Sequence, residues 1–551
     1  MKHKSIYFLL ILTIILIANL SQGEDKRRVL IIGLDGADWE ILDPMLAKGE
    51  LPNLQSVINN GLKGVLPSIL PPVSPPAWRT AITGVNPGKH GIYEFPGCQA
   101  ERYNMDFQKS FDKRAKPCWI YLTEQNVTSL FINIPTMYPP EPINGHMITG
   151  LFTPDTNGEF TFPHELKEKY YNYEIDVTCE FTLDTLDQYV SDLRKIAEER
   201  RITILNEMQS VDWDFAWVAF TGCDRVQHRY RGFNIYESLL YQYKDQDKYK
   251  DAIKDFWIFL DKSVGDILKI TPPNTLVMLM SDHGHAYTDT MFFMYGWLKS
   301  LGLMYASFEP MDFPWYKRIF LSDETIELTR QLRIDWDKTK AYSSGYLGQI
   351  YVNLKGREPN GCVEPGKEYE EIRNKIINAV GAVIDPKTGK PVIKAIHKRE
   401  DVYDGPYFED APDLVIEWNH PYSVIDKIPT QIGPDGKTQI INSMFGAEPA
   451  LCTGIHRIEG IIVVTGPGVP VFQKLEDATL YDLLPTAYNY LGIPIPTYLE
   501  GEILPVFQEG TVSTPQYIED NLYIDEPEAI ELNDEAKTAL AKQMKALGYM
   551  K

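Results

Sequence analysis

Several features are scarce in this sequence, and each scarcity argues against a class of protein. Basic side chains are outnumbered, 54 Lys and Arg against 76 Asp and Glu, and the net charge of −22 argues against binding to nucleic acid polymers. The six cysteines form no Cys-x-x-Cys pair, which argues against a thiolate zinc ribbon. No internal repeat or low-complexity tract occurs. The 44% hydrophobic and 12% aromatic content is nevertheless typical of a folded protein.

Long apolar segments are also missing, apart from one at the N-terminus. Lys2 and Lys4 precede an apolar stretch at 6–20, and small residues at 21–23 offer a cleavage site, which together predict an export signal over residues 1–23. The stretch is shorter than the roughly 20 residues that cross a bilayer, so an uncleaved membrane anchor is the alternative. We therefore expect a soluble, extracytoplasmic body that is secreted, periplasmic or held at the cell surface.

An exported location permits disulfide bonds among the cysteines at positions 98, 118, 179, 223, 362 and 452. Cys223 and Cys452 each lie close in sequence to a candidate metal ligand, so they are candidates for neighbours in space. Buried free thiols are at least as good an interpretation.

The order of apolar segments predicts an α/β fold. Short apolar runs at 29–33, 215–220, 276–280 and 461–464 have the composition of buried strands. Amphipathic helical patterns, for example at 183–208 and 249–268, separate them. Strands that alternate with helices indicate a mostly parallel central sheet flanked by helices. Asp35, Asp224 and Asp282 each follow a predicted strand, and ligands of such sheets bind beyond the carboxyl ends of the strands.

A chain of 551 residues suits a large domain with an insertion. Residues 295–445 are rich in turn residues and include one clear helix at 368–380, so we interpret them as an inserted α+β cap. The catalytic α/β core is then predicted in two parts, 28–294 and 446–508. Residues 509–551 form an acidic linker that ends in a predicted helix at 534–547.

Ser74 is the candidate nucleophile. It precedes Pro75 and Pro76, and proline is tolerated in the first turn of a helix, so we predict a helix at 75–83 with Ser74 as its N-cap and Gly84 beyond its end. A helix N-terminus favours an alkoxide or a phosphate. An ordinary capping serine is the competing interpretation, and the hydroxyl needs a metal or a base to activate it.

Carboxylate and imidazole side chains supply the candidate metal ligands. Asp282 and His283 follow a predicted strand, where a turn helped by Gly284 can aim both at one ion, and such ligands suit zinc. Asp224 and His228 are four apart and share one face of a helix. His456 lies in a predicted loop before the last core strand. Four further residues have weaker indications. His285 is a candidate support for the ligands, Arg225 is interpreted as a surface charge, and His90 and Lys89 are assigned a structural role.

These segments resemble the alkaline phosphatase superfamily, and most closely its type I phosphodiesterase/nucleotide pyrophosphatase group, in the branch of predicted phosphohydrolases and phosphomutases. The motifs that carry the resemblance are GLDG at 33–36, PVSPPAW at 72–78, NPGKHG at 86–91, NLKGRE at 353–358 and GIHR at 454–457. One departure concerns Ala77 and Trp78, because nucleotide pyrophosphatases usually carry Asn-His there. Nucleotide specificity is therefore not carried over.

The resemblance implies two metal subsites. One subsite would consist of Asp224, His228 and His456. The other would consist of Asp35, Asp282, His283 and the Ser74 oxygen. Zinc is the expected ion, with manganese or iron as alternatives. Two divalent cations bring four positive charges, and three aspartates with a Ser74 alkoxide bring four negative ones, so the metals can lower the pKa of the serine without a strong net charge.

The expected function is therefore metal-dependent hydrolysis of a small-molecule phosphoric ester, as a phosphodiesterase or phosphatase, through a phosphoseryl intermediate at Ser74. A phosphomutase or phosphotransferase on the same fold is one alternative. A sulfatase-like hydrolase is another, although its signature places Arg four residues after the nucleophile and Arg79 comes five after Ser74. A noncatalytic envelope-associated binding protein is the alternative outside enzymes, and the complete ligand set argues against it.

Overall fold

The protein is described here by a computed structural model that covers residues 26–95, 100–101, 104–105, 115–235, 246–309, 331–426, 428, 430–432, 438–440, 444–447, 452–523 and 532–547. The predicted export signal and Cys98 lie outside these residues. In the part described, no helix combines the length and the apolarity that a membrane span requires.

The first half of the chain supplies most of a large central sheet. The strands of this part of the chain are β1 (Arg28–Leu34), β2 (Gly61–Pro67), β3 (Ala100–Glu101), β4 (Asn104–Met105), β5 (Ser129–Ile132), β6 (Gly145–Ile148), β7 (Thr161–Phe162), β8 (Phe215–Phe220) and β9 (Thr275–Met280). Of these, β3 and β4 form a separate two-stranded sheet. The C-terminal part contains β22 (Gly454–Arg457), β23 (Glu459–Thr465), β24 (Gln473–Leu475), β25 (Ile495–Pro496) and β26 (Tyr517–Ile518). Of these, β23 and β24 belong to the central sheet.

The nine strands of the central sheet lie in the order β24-β2-β23-β9-β1-β8-β5-β6-β7. β1 pairs in parallel with β8 and with β9, and β5 and β6 extend the parallel part. β23 runs antiparallel to both of its neighbours, β9 and β2. The predicted mostly parallel sheet is confirmed, and the direction of β23 decides where the chain before it comes to lie.

Helices cover both faces of this sheet. They are α1 (Trp39–Ala47), α2 (Pro52–Asn59), α3 (Ser74–Thr83), α4 (Pro87–His90), α5 (Cys118–Glu124), α6 (Leu166–Lys169), α7 (Leu186–Ser210), α8 (Gly222–Tyr230), α9 (Gln246–Tyr249), α10 (Ala252–Ile270), α11 (Met294–Ser300), α12 (Lys367–Val380), α13 (Leu483–Leu491) and α14 (Asp534–Leu547). Short 3₁₀ helices occur at Arg231–Asn234, Arg399–Asp401, Phe408–Asp410 and Leu480–Asp482.

The alternation of side chains along β1 explains the layers. Leu30 and Ile32 pack in the core beneath α2, α7 and α10, whereas Val29 and Ile31 pack in the core beneath α3, α5 and α13. Successive residues of a strand point to opposite faces, and a parallel strand covered on both faces is apolar throughout. The apolar run at 29–33, which predicted a buried strand, therefore lies in the sheet that forms the middle layer of an αβα sandwich.

Small sheets occupy the chain between β9 and β22. Their strands are β10 (Gly284–Tyr287), β11 (Thr290–Phe293), β12 (Ala306–Glu309), β13 (Gln331–Ile334), β14 (Ala341–Ser344), β15 (Gln349–Val352), β16 (Ile393–Lys398), β17 (Leu414–Trp418), β18 (Tyr422–Ile425), β19 (Thr430–Ile432), β20 (Thr438–Ile440) and β21 (Phe445–Ala447). The largest described sheet among them has the order β14-β15-β17-β16 and is antiparallel. The predicted division into core, cap and tail stays a prediction.

All four predicted core strands form, as parts of β1, β8, β9 and β23. The predicted helices at 183–208, 249–268, 368–380 and 534–547 appear as α7, α10, α12 and α14, with ends that agree within three residues. The predicted helix after Ser74 also forms, but it starts one residue earlier.

Candidate active site and metal centre

Three aspartates meet at one edge of the central sheet. β9, β1 and β8 are neighbours that run parallel, so their carboxyl ends share this edge. Asp35 directly follows β1, Asp224 lies in the first turn of the helix after β8, and Asp282 follows β9 by two residues. The backbone N–H of Gly36 donates to Asp282 Oδ1 over 3.2 Å and so joins the first loop to the third. All three carboxylates are fully buried.

His456 reaches the same edge because β23 is antiparallel. A strand that runs against β9 begins where β9 ends, so the residues just before β23 lie at the carboxyl ends of the parallel strands. His456 was predicted in a loop, but it lies on the short strand β22, which pairs with β10 and sets His456 opposite His285. Strand pairing of this kind depends on a distant partner and leaves no local sequence pattern.

Ser74 is the first residue of α3, and Val73 occupies the N-cap with extended φ and ψ of −121° and 134°. The prediction that Ser74 is the N-cap was therefore wrong by one residue. Extended backbone is the conformation expected of an N-cap residue, and Val73 rather than Ser74 adopts it. Gly84 ends the helix with a left-handed φ of 67°, as predicted. Ser74 Oγ lies 3.0 Å from His283 Nε2.

One group of candidate ligands gathers around Asp224. Asp224 Oδ1 lies 3.3 Å from His228 Nε2 and 3.4 Å from His456 Nε2. The two imidazole nitrogens are 2.9 Å apart. Ligand atoms around a tetrahedral zinc ion are separated by about 3.4 Å, because zinc–ligand distances are about 2.1 Å. The spacing of this triad therefore fits an ion of that size.

The second group lies next to the first. His283 Nε2 is 3.3 Å from Asp282 Oδ2 and 3.7 Å from Asp35 Oδ1. Asp35, Asp224 and His283 each offer an atom within 4.8 Å of the others. The His283 and His456 rings stack with centroids 3.7 Å apart, which places the two groups side by side. All seven candidate residues thus come together.

Backbone carbonyls orient the three imidazole rings. Each ring places Nδ1 next to a carbonyl oxygen: His228 at 2.8 Å from Gly454 O, His456 at 3.0 Å from Pro72 O, and His283 at 3.0 Å from Gly284 O. A carbonyl oxygen can only accept, so Nδ1 carries the hydrogen in each ring. In the neutral form of each ring, Nε2 then presents its lone pair to the cluster, which is the arrangement of metal-ligating histidines.

The ionisation of the cluster indicates a deficit of positive charge. Burial, together with repulsion from Asp282 and Asp224, raises the pKa of Asp35 well above its ordinary value. Burial and Asp224 do the same to the pKa of Asp282. Burial lowers the pKa of His228, but the Asp224 carboxylate outweighs burial and raises this pKa to about 9. The carboxylate of Asp224 therefore favours a positive charge next to it.

Two buried oxygens support the same conclusion. Asp35 Oδ1 and Asp282 Oδ2 have no hydrogen-bond donor among the described residues. A buried carboxylate oxygen without a donor is costly, and a coordinated cation satisfies it. The donor set of carboxylates and imidazoles is also one that binds zinc. These Asp and His clusters are therefore able to bind metal.

Arg225 is not the surface charge that the sequence suggested. Its guanidinium is 1% exposed, donates to Asp224 Oδ2 over 2.6 Å, and lies 3.4 Å from Asp176 Oδ2. It holds the second oxygen of Asp224 while the first faces the two imidazoles. Buried arginine is rare unless it is paired. Asp176, 49 residues earlier in the chain, supplies a second carboxylate to Arg225 in addition to that of Asp224.

The contact of Trp78 with a candidate ligand was missed, whereas the positions of His285 and His90 agree with the roles predicted for them. The Trp78 indole N–H donates to Asp35 Oδ2 over 3.2 Å, so the residue that departs from the nucleotide pyrophosphatase pattern orients a candidate ligand. His285 is fully buried with its ring 4.6 Å from that of His228, which agrees with a supporting position. His90 Nε2 lies 3.0 Å from Thr80 Oγ1, and its Nδ1 accepts from a backbone N–H, which agrees with a structural role.

The described cysteines, Cys223 and Cys452 included, form no disulfide bond with one another. Lys89 lies 2.5 Å from Glu500 Oε1 and so joins α4 to the C-terminal part of the chain.

Comparison with known proteins gives a family and a set of similar folds. The sequence profile described as type I phosphodiesterase / nucleotide pyrophosphatase matches residues 29–444. Phosphonoacetate hydrolase from Sinorhizobium meliloti 1021, in complex with phosphonoacetate, shares 12% sequence identity with a TM-score of 0.50, over 85% of this chain and 95% of that chain. Murine ectonucleotide pyrophosphatase / phosphodiesterase 5, an inactive form in complex with AMP, shares 13% identity with a TM-score of 0.46, over 86% and 97%. No curated protein matches the sequence.

Proposed function

This chain belongs to the type I phosphodiesterase / nucleotide pyrophosphatase family and is a phosphoric ester hydrolase, and we propose that it acts through a serine nucleophile, Ser74, beside two divalent metal ions. The substrate is a small-molecule phosphate ester. The convergence of three Nε2 lone pairs on three buried carboxylates is the observation that carries this proposal.

The two ligand groups would each hold one ion, most simply zinc. The first ion would take Asp224, His228 and His456. The second would take Asp35, Asp282, His283 and the Ser74 oxygen. Such ions supply positive charge that lowers the pKa of the serine and stabilises the charge that develops on the oxygens of the transferred group. The distances within the first triad support this division.

The protein's own contribution to the first step is an oriented serine. The Ser74 hydroxyl oxygen lies 3.0 Å from His283 Nε2, the nitrogen that would bind the second ion, so the serine oxygen lies next to the second ligand group. The start of α3 directs the helix dipole towards the same hydroxyl, and that dipole favours a negatively charged oxygen. Ser74 Oγ gives up its hydrogen and attacks phosphorus, a new O–P bond forms, the O–P bond to the leaving group breaks, and the leaving oxygen takes up a hydrogen and departs as the alcohol.

Water completes the reaction in a second step. It attacks the phosphorus of phosphoserine, the Ser74 O–P bond breaks, and phosphate or a phosphomonoester departs while Ser74 regains its hydrogen. If an alcohol replaces water, the same serine transfers the phosphoryl group, which is the reaction of a phosphomutase or phosphotransferase. Product analysis with a candidate sugar phosphate therefore separates hydrolysis from transfer.

Ser74→Ala and Ser74→Thr test the nucleophile. We expect the alanine variant to lose at least about 10³-fold in kcat towards p-nitrophenyl phosphate or bis-p-nitrophenyl phosphate, because alanine has no oxygen that can form the covalent intermediate. Threonine keeps the hydroxyl and should retain measurable turnover. Ser56→Ala, at an exposed position on α2, is the matched control.

Metal content is measured on the same proteins by elemental analysis. We expect two ions per chain in wild type and nearly unchanged content in Ser74→Ala, since six protein ligands remain. Turnover retained by Ser74→Ala would refute the nucleophile, and a chain that retains no metal after loading with zinc would refute the metal site. A p-nitrophenyl sulfate assay on wild type tests the sulfatase alternative.

A further inference from the structure

A turn from the predicted cap reaches the metal-ligand cluster. Tyr346 lies between β14 and β15, and its ring centroid is 4.9 Å from the His456 ring and 6.1 Å from the His228 ring. Its side chain is half-buried, whereas His456 and His228 are almost fully covered. The Tyr346 ring therefore stands at the boundary between the buried cluster and its accessible side.

Glu94 holds this turn in place. One carboxylate oxygen, Oε2, accepts from the backbone N–H of Tyr346 over 2.9 Å, and the other accepts from the N–H of Phe95 over 2.9 Å. The preceding residue, Gly345, has a left-handed φ of 95°, and a Cβ there would lie 2.2 Å from Glu94 Oε2. Glu94 is itself 3% exposed. A buried carboxylate thus fixes the backbone of a turn that comes from a distant part of the chain.

Two further contacts limit the movement of the turn. The Phe95 ring meets the Tyr346 ring edge to face with centroids 6.0 Å apart. The carbonyl of Leu347 accepts from the indole of Trp418 on β17 over 2.9 Å. The turn is therefore held from the core side by Glu94 and Phe95 and from the small antiparallel sheet by Trp418.

The same His456 ring contacts both Tyr346 and His283, and His283 is the residue that meets Ser74. An ester that reaches Ser74 must accommodate the substituent that departs with the leaving oxygen. Tyr346 offers an aromatic face with a polar tip, which favours flat or apolar substituents over small polar ones.

We propose that Tyr346 contacts the leaving group of the bound ester and selects esters with an aromatic leaving group, and that Glu94 is a positioning residue that holds Tyr346 there. This inference rests on the proposed function of the Ser74 site.

Ligand binding without turnover gives the first test. Inorganic phosphate and phenylphosphonate are titrated by calorimetry into zinc-loaded Ser74→Ala protein, alone and combined with Tyr346→Ala or Tyr346→Leu. An aromatic contact contributes about 0.5 to 1.5 kcal/mol, so the loss of the ring should weaken phenylphosphonate about 2- to 12-fold and leave inorganic phosphate within about 2-fold. The leucine variant keeps most of the side-chain volume, so a failure of the alanine variant to fold leaves the test intact.

Kinetics on the chain with Ser74 intact give the second test. Relative to wild type, we expect Tyr346→Ala to raise the KM for p-nitrophenyl esters more than the KM for methyl esters. The kcat should change less than the KM. Tyr346→Phe keeps the ring and should remain close to wild type. Tyr305→Ala, which removes a 43% exposed ring elsewhere in the predicted cap, is the control.

Glu94 is tested by its own pair of variants. Glu94→Ala removes both backbone acceptors and should reproduce the selective rise in KM, whereas Glu94→Gln keeps one acceptor and should restore part of the selectivity.

Equal effects of Tyr346→Ala on phenylphosphonate and on phosphate, or no effect on either, would overturn the inference. Wild-type protein that binds zinc and hydrolyses neither ester class would instead refute the proposed function, so the two failures are distinguishable. A loss of zinc from the Tyr346 variants would assign the ring to the support of His456 and not to the substrate.

Discussion

Asp35→Asn should change the stability of the protein in opposite directions with and without metal. Asp35 and Asp224 each offer a ligand oxygen, and these lie within 4.8 Å of one another in the cluster. Without cations, the substitution removes a buried negative charge from a place where two others lie close by. With cations, it removes an attraction. The variant should therefore be more stable than wild type in chelator and less stable in zinc.

The size of the effect follows from the geometry. Two unit charges 4.8 Å apart repel by about 3.5 kcal/mol at an effective dielectric constant of about 20. Burial and the repulsion from Asp282 and Asp224 raise the pKa of Asp35, so the gain in the variant is smaller than full ionisation of this carboxyl would give. In wild type, metal at 1,000 times its Kd adds about 4 kcal/mol to the free energy of unfolding, and we expect a smaller gain in the variant.

Urea unfolding followed by tryptophan fluorescence measures both cases. The variant and wild type are compared in EDTA and in excess zinc, with Asp247→Asn as a control because its side chain is 86% exposed. The free energy of unfolding of the control should stay within about 0.5 kcal/mol of the wild-type value, both in EDTA and in excess zinc. A variant that is less stable than wild type in EDTA, or that gains as much from zinc as wild type does, would refute the interpretation of the cluster as a cation site.

Three further predictions concern the surroundings of the site and the fold. Arg225→Met should lower the free energy of unfolding in EDTA by about 3 to 5 kcal/mol, since it removes the guanidinium that the buried carboxylates of Asp176 and Asp224 share. Arg225→Lys should recover part of this loss, and equal stability of all three proteins would contradict the argument. Gly454→Ala should lower zinc content, because a Cβ there would lie 2.1 Å from the His285 ring, whereas Gly158→Ala has open space and should bind zinc normally. Three hydrogen-bond donors overcome the effect of burial and hold the pKa of Glu207 at about 2, so its contribution to stability is present above about pH 4.5 and is lost as pH falls towards 2. Glu207→Gln should reduce the fall in the free energy of unfolding over that interval by roughly 2 kcal/mol, and an unchanged pH profile would exclude this residue as a cause.

The sequence predicted the secondary structure around the site well because the signals there are local. An apolar run that ends in Gly33, or one before Asp282, has the composition of a parallel strand buried on both faces. Pro75 and Pro76 mark the first turn of α3 in the same way. The start of that helix was missed by one residue, because the conformation of Val73 depends on the path of the chain before it.

The errors arose where a residue's environment comes from far along the chain. Arg225 has the sequence context of a surface charge, and Asp176 turns it into a buried ion pair. His456 has the context of a loop residue, and pairing with β10 places it on a strand. Tyr346 gave no sequence signal, since its approach to His456 depends on how the turn packs on Glu94.

By itself, then, the sequence determined the alternation of strands and helices and the chemical types of the ligands, because periodicity and donor atoms are properties of short segments. The tertiary structure alone decided which ligands face each other, which imidazole nitrogens carry hydrogen, and which turn stands beside the cluster. These depend on the direction of β23 and on side chains that meet across hundreds of residues, and such contacts follow from the packing of the whole chain.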